Sequence, residues 1–296
     1  MQLVTGAAGL NGRITVAEFV RAGLPVRALV RSAASAVRAG LDRMPGVEVV
    51  EGDMMNVGMG DAALDGVERV LMISSAGPDM VETQCQFVDS CKKAGVQHVI
   101  KFSGAESGIG FDPSKFRFTR MHEEIEDYLE ASGVAWTHVR PSQFMQVYLR
   151  EVPDITAQSM IRLPFADIML SPVDARDIAK VSFNLLRFGG HEMESLDMTG
   201  PEALTMADVA GRISMAIGRK VTYVPVTPEE RRASLLARGV PADFVDVLDE
   251  QLIERLNHPK SKVDLATHRA FGVRPTTFAE FAADHAATFR GESPAS

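Results

Sequence analysis

From the second residue to about residue 140, short runs of apolar residues alternate with longer stretches whose apolar positions recur every three or four residues. The runs are residues 2–5, 26–30, 47–50, 69–74, 98–102 and 136–139. Runs this short and this rich in valine, leucine and isoleucine predict strands buried on both faces. The stretches between them predict helices over residues 13–22, 34–39, 80–94 and 114–131, with a turn near 61–64. In the first of these, Ile14, Ala17, Phe19 and Val20 make the apolar stripe. Strands that alternate with helices form a parallel sheet covered on both faces. Right-handed crossovers make such a sheet doubly wound, with ligands expected at the carboxyl ends of its strands.

Beyond Pro141 the rhythm changes. Residues 141–173 carry Pro153, Pro164 and Pro172 and read as irregular, whereas 174–186 read as a helix capped by Asp174. A strand-like 196–199 follows, then helices near 206–216, 228–237, 242–256 and 278–289, with one strand at 221–224. The expected organisation is an α/β sheet domain over residues 1–150, rejoined by 174–200. A smaller, mostly helical lobe comprises 151–173 and 201–290, and 291–296 form a flexible tail.

The first strand runs into Thr5-Gly6-Ala7-Ala8-Gly9-Leu10-Asn11-Gly12 and then a helix. In such a strand–turn–helix the first glycine permits the bend. The second lets a pyrophosphate approach the backbone, and the third lets helix and strand pack closely. The anion then sits on unpartnered N–H groups at the helix N-terminus. The second strand follows at the distance that closes a βαβ unit. Gly6, Ala8, Gly9, Leu10, Asn11 and Gly12 are therefore candidate dinucleotide-binding residues, the alternative being an empty structural turn.

Composition narrows the partners. With 296 residues, 46% hydrophobic, the chain can bury a full core, and its net charge of −8 offers no basic footprint for nucleic acid. Small molecules are the expected ligands. Cys85 and Cys91, six apart on one predicted helix, suit neither a disulfide nor a metal site and read as buried thiols. No basic-then-apolar leader precedes the first strand, and no apolar run reaches the ~20 residues a membrane span needs. A cytoplasmic location, with no membrane partner, is expected.

Six stretches, taken in order, carry a resemblance: Thr5 to Gly12, Ala28-Leu29-Val30-Arg31, Glu51-Gly52-Asp53, His122-Glu123-Glu124-Ile125-Glu126-Asp127-Tyr128-Leu129, Trp136-Thr137-His138-Val139-Arg140-Pro141-Ser142-Gln143-Phe144-Met145, and Val173-Asp174-Ala175-Arg176-Asp177-Ile178-Ala179. Together they resemble the NmrA-like branch of the atypical short-chain dehydrogenase/reductases, over most of the chain. The resemblance implies an NAD(P)-binding Rossmann fold. It leaves the reaction open, because that branch includes quinone, azo-dye and triphenylmethane-dye reductases, isoflavone-reductase-type enzymes, tailoring enzymes of aromatic biosynthesis, and redox sensors without chemistry.

Arg31 ends the second strand nineteen positions past Gly12, where a carboxylate would accept ribose hydroxyls and an arginine can pair with a 2′-phosphate. No Asp or Glu lies between Val26 and Leu41, so NADPH is favoured over NADH, unless Arg31 is simply an exposed loop residue. Relatives usually carry a second basic residue a few positions on, whereas six residues separate Arg31 from Arg38 here, which suggests a modest preference. The resemblance places Asp53 at the adenine amino group, with Met54 against the ring. Ser74 and Ser75, ending the fourth strand, would lie along pyrophosphate and ribose. Lys101 and Ser103 end the fifth strand, Lys101 at the cofactor and Ser103 facing the nicotinamide half. Turn and cap roles are the alternative for the Asp and Ser positions.

Ordinary short-chain dehydrogenases use a tyrosine with a lysine four residues later. Tyr128, Tyr148 and Tyr223 are followed at that spacing by Ser132, Val152 and Thr227, which excludes a pair of that kind. Relatives carry lysine or histidine at the start of the helix before the Thr-x-x-Arg-Pro strand, and His122 occupies that position, either as a proton or hydrogen-bond donor or as an ordinary helix residue. A site without a poised phenol suits a conjugated acceptor, whose reduced anion is delocalised. Phe102, Phe111, Phe116, Phe118, Trp136, Phe144, Met145 and Tyr148 follow strand ends, and Phe144 and Met145 are the ones expected to line a flat slot. The reading is an NAD(P)H-dependent reductase of a quinone or polycyclic aromatic, with neither metal nor flavin, acting as monomer or homodimer. The alternatives are net oxygenation through a reduced hydroquinone and a non-catalytic NAD(P)-binding redox sensor.

Overall fold

A computed structural model of the chain describes residues 1–55, 63–104, 111–258 and 262–292. Seven parallel strands form one sheet: β1 (Gln2–Val4), β2 (Val26–Val30), β3 (Val47–Glu51), β4 (Arg69–Met72), β5 (His98–Phe102), β6 (Ala135–Pro141) and β8 (Glu194–Met198). Their spatial order is β3-β2-β1-β4-β5-β6-β8. Val4 of β1 pairs with Ala28 on one side and Leu71 on the other. The chain winds outward in both directions from β1, so the crevice at the carboxyl ends of β1 and β4 is the place where such a sheet takes a ligand.

Helices α1 (Leu10–Arg21) and α6 (Ala175–Phe188) cover one face, with Phe19 and Phe183 meeting edge-on at 4.8 Å between centroids. Ile178, Val181, Ser182 and Leu185 form the buried stripe of α6, and Asp174 caps it by accepting from the Arg176 N–H at 2.8 Å. On the other face, α3 (Met80–Lys93) and α4 (Arg117–Ala131) bury Phe87, Ile125 and Leu129 in a second core. The short α2 (Ala33–Ala39) follows β2.

A third core belongs to a lobe at one end of the sheet. It is built from a 3-10 segment (Met145–Glu151), α5 (Val152–Gln158), the parallel pair β7 (Met160–Leu163) and β9 (Thr222–Pro225), α7 (Met206–Ile217), α11 (Phe278–Asp284) and α12 (Ala286–Phe289). Helices α8 (Pro228–Ala237) and α9 (Ala242–Asn257) complete the lobe, and α10 (Ala266–Ala270) packs near β8.

Several boundaries differ from those the pattern predicts. The stretch 141–173, read as irregular, contains a 3-10 turn, a helix and a strand. Pro153 does not block α5 because it sits in the helix's first turn, where its missing N–H has no partner to lose. Helix α1 starts at Leu10 rather than 13, which places Gly12 inside the helix. The expected helix 278–289 breaks at His285, and α10 was not expected. The expected turn at 61–64 and the tail at 291–296 lie partly outside the described residues. Among the described residues, no helix is long and apolar enough to cross a membrane, and no group of three or more His, Cys, Asp or Glu could hold a metal. Both cysteines are free; Cys91 is buried and Cys85 half-buried.

Candidate active site

The turn after β1 depends on two glycines. Gly6 has φ +56°, and a Cβ there would lie 2.9 Å from the Ile73 carbonyl oxygen. A Cβ on Gly12 would lie 2.5 Å from the carbonyl oxygen of Gly6, so only glycine lets α1 start this close to the strand. Gly9 precedes α1 in extended conformation and puts no side chain over the helix's first N–H groups. A cleft of about 1090 Å³ opens there, lined by Gly6, Ala8, Gly9, Leu10, Asn11 and Gly12, by Arg31, Asp53 and Met54, and by Ser74 and Ser75. Asn11 Oδ1 is buried here without a hydrogen-bond partner among the described residues. One turn of α2 brings Ser35 and Arg38 to the same wall as Arg31, and Arg13 lines it too. Asp53 Oδ1 also accepts from the Met55 N–H at 3.0 Å, so its turn role and its place on the cleft coexist.

A second cleft, about 680 Å³, continues from the first and shares Asn11, Ile73, Ser74 and Met80 with it. Phe102 and Phe144 wall it on the sheet side, and Val147, Tyr148, Leu163, Phe165, Leu235 and Leu252 on the lobe side. Phe102 and Phe144 stand edge to face at 6.0 Å. Its lining also carries charge, with Arg231 held by Glu151 at 2.7 Å and Arg238 by Asp154 at 2.7 Å.

Ser103 and His122 line the second cleft, and a buried polar cluster stands behind them. Lys101, fully buried at the end of β5, donates from Nζ to Ser103 Oγ at 3.1 Å and contacts His122 Nδ1 at 2.9 Å. Ser103 Oγ donates to Glu126, and Arg140 holds the same carboxylate through Nε at 3.1 Å and through a second guanidinium nitrogen. Burial drives the Lys101 ammonium down to about 7; Arg140 adds to the drop, while Glu126 and Cys85 oppose it. Burial, then Lys101 and Arg140, holds the His122 imidazolium well below the ordinary histidine range. Glu126 stays below the usual carboxylate range despite its burial, because Arg140, His138, Ser103 and Lys101 favour its charge.

A family model described as the NmrA-like family matches residues 2–282. The chain belongs to the NmrA-like family. It is 34% identical to an NAD(P)H azoreductase of Xenophilus azovorans, over 98% of this chain and 99% of the relative. It is 30% identical to a (4-alkanoyl-5-oxo-2,5-dihydrofuran-3-yl)methyl phosphate reductase of Streptomyces griseus, over 99% and 100% of the two chains. Its fold is that of the NADPH-dependent quinone oxidoreductase QOR2 of Escherichia coli in complex with NADPH, with a TM-score of 0.84 at 23% identity over 96% and 99% of the two chains.

Within this NmrA-like frame the expected residues do not all fall where the sequence places them. Eleven of the candidate cofactor residues share the first cleft, but Lys101 lines neither cleft, because its side chain runs inward to Ser103 and His122. Phe144 lines the second cleft. Met145 does not: it is 1% exposed in the lobe core, turned inward by the 3-10 segment that starts with it. Of the other aromatics, Phe111, Phe116 and Phe118 form a separate cluster, and Trp136 lies in the core under α3 and α4. Sequence reasoning passed over Arg13, Glu126 and Arg140 and set Arg38 aside as too far from Arg31. The helical spacing of Ser35 and Arg38 was a usable signal. Nothing local marks Glu126 and Arg140 as partners, since they lie on different elements.

Proposed function

We propose that this NmrA-like protein is an NAD(P)H-dependent reductase of planar, conjugated acceptors such as quinones or azo compounds, with NADPH preferred. The observation that carries this reading is the continuity of the two clefts at Asn11, Ile73, Ser74 and Met80, with His122 and Ser103 lining the second. The glycine turn fits a pyrophosphate, and Arg31 with Arg38 fits a 2′-phosphate. Bound there, the cofactor supplies a hydride. The aromatic and aliphatic walls of the second cleft orient a flat acceptor and exclude water.

The proton comes from this chain. An ammonium has no lone pair, so in the Lys101–His122 contact Nδ1 accepts, and the imidazole keeps its proton on Nε2. That N–H is the donor His122 offers an acceptor oxygen or nitrogen gaining negative charge. An anion delocalised over a conjugated system asks little of its acid, which suits a neutral imidazole. The relatives' activities, on an azo compound and on a conjugated furanone, support the same acceptor chemistry.

Steady oxidation of NADPH on adding menadione or methyl red is the expected result. Tight NADPH binding with no oxidation by either would instead make the protein a cofactor sensor.

A further inference from the structure

Resting on that reading, we infer that Lys101 is the source of the transferred proton, passed to the acceptor through His122. Three observations place the two residues in series. Lys101 is buried and touches neither cleft, so it cannot serve an acceptor directly. Its ammonium contacts His122 Nδ1 at 2.9 Å, and the His122 ring lines the acceptor cleft. Ser103, Glu126 and Arg140 hold the amine in this position through a continuous chain of hydrogen bonds.

The step balances without any further reagent. As hydride and its electron pair reach the acceptor, His122 Nε2 releases its proton to the acceptor's new anion. Lys101 Nζ gives a proton to Nδ1, the imidazole changes tautomer without becoming charged, and Lys101 ends as a neutral amine. The next proton enters at Nε2 from solvent through the open cleft, and Nδ1 returns one to Lys101. The relay thus avoids an imidazolium, the form that burial and the two neighbouring cations make costly.

The groups facing Lys101 are Cys85 from α3, His122 and Glu126 from α4, and Arg140 with His138 from β6. Burial is the strongest influence and lowers the amine to about 7. The relay is loaded below that pH and empties above it, so proton delivery falls as pH rises.

The test is the single-turnover rate of NADPH oxidation by menadione, measured with the full chain from about pH 6 to about pH 9. The wild-type rate should fall above about pH 7, as Lys101 loses its proton. Lys101→Met should be about ten- to a hundredfold slower at the acid end and lose the pH-dependent limb, with NADPH affinity unchanged. Arg140→Gln removes a neighbouring cation and leaves Glu126 without the cation that neutralises it; both changes favour the ammonium, so the limb should move up by about one pH unit. A merely structural lysine would leave the limb in place. A wild-type rate flat across this range, or a limb retained in Lys101→Met or unmoved in Arg140→Gln, overturns the relay while the reductase reading stands. No NADPH oxidation at all by the wild type overturns both.

Discussion

A buried ammonium that serves catalysis should cost stability, and Lys101→Met measures that cost. The fall of Lys101 from its ordinary 10.5 to about 7, at about 1.4 kcal/mol per pH unit, corresponds to roughly 5 kcal/mol. Below about pH 7 the lysine is protonated whether the chain is folded or unfolded, and the folded state bears the full penalty. Between about 7 and 10.5 the unfolded chain binds the proton and the folded chain does not, so stability rises with pH. Methionine has nearly the same length and no charge, and so lacks this dependence. The variant also loses the hydrogen bonds to Ser103 and His122, a change of about 1–3 kcal/mol that does not vary with pH in this range. Urea unfolding of both proteins at about pH 7 and about pH 9 should therefore show the wild type gaining roughly 2 kcal/mol on the variant. Cys85, Cys91 and Tyr148 also titrate at alkaline pH but are common to both proteins and cancel in the comparison. Parallel stabilities at the two pH values would refute the claim that Lys101 is an energetically costly cation.

Arg31→Ala should weaken NADPH by about tenfold and NADH hardly at all, since Arg31 is exposed and solvent screens its pairing with a 2′-phosphate; calorimetric titration of both cofactors checks it, and equal losses would remove the arginine from the phosphate site. Phe144→Ala should raise the KM for menadione several-fold with little change in melting temperature, because its ring lines the cleft. Met145→Ala should do the reverse, losing about 2–5 kcal/mol through a core cavity while KM is kept. Gly12→Ala should abolish NADPH binding, since its Cβ would press on the Gly6 carbonyl from 2.5 Å; a variant that still binds would show that the turn can open.

The sheet was legible because a parallel strand buried on both faces must be apolar along its length, as Val26–Val30 and His98–Phe102 largely are. The cofactor turn was legible because Gly6 and Gly12 answer local steric demands, which the sequence must meet at fixed positions. The lobe was harder to read. Its strands β7 and β9 have four residues each and lie about sixty residues apart, too short to show a period. Met145 and Phe144 are neighbours in sequence, and only the 3-10 turn after Phe144 decides which faces the cleft and which the core. Lys101 was read as a strand-end residue at the cofactor. The direction of its side chain depends on Ser103 and on His122 from α4, which Nζ meets, with Glu126 from α4 and Arg140 from β6 behind Ser103, and no local pattern records that convergence.

On the proposed reading, hydride and proton meet on a conjugated acceptor in the second cleft. Mixing the NADPH complex with menadione without oxygen, and following both reactants, decides it. NADPH deuterated at the transferred position should react measurably more slowly, with one hydroquinone formed for each NADPH consumed. Bound NADPH that stays reduced in the presence of menadione, and equally of methyl red, would contradict the account.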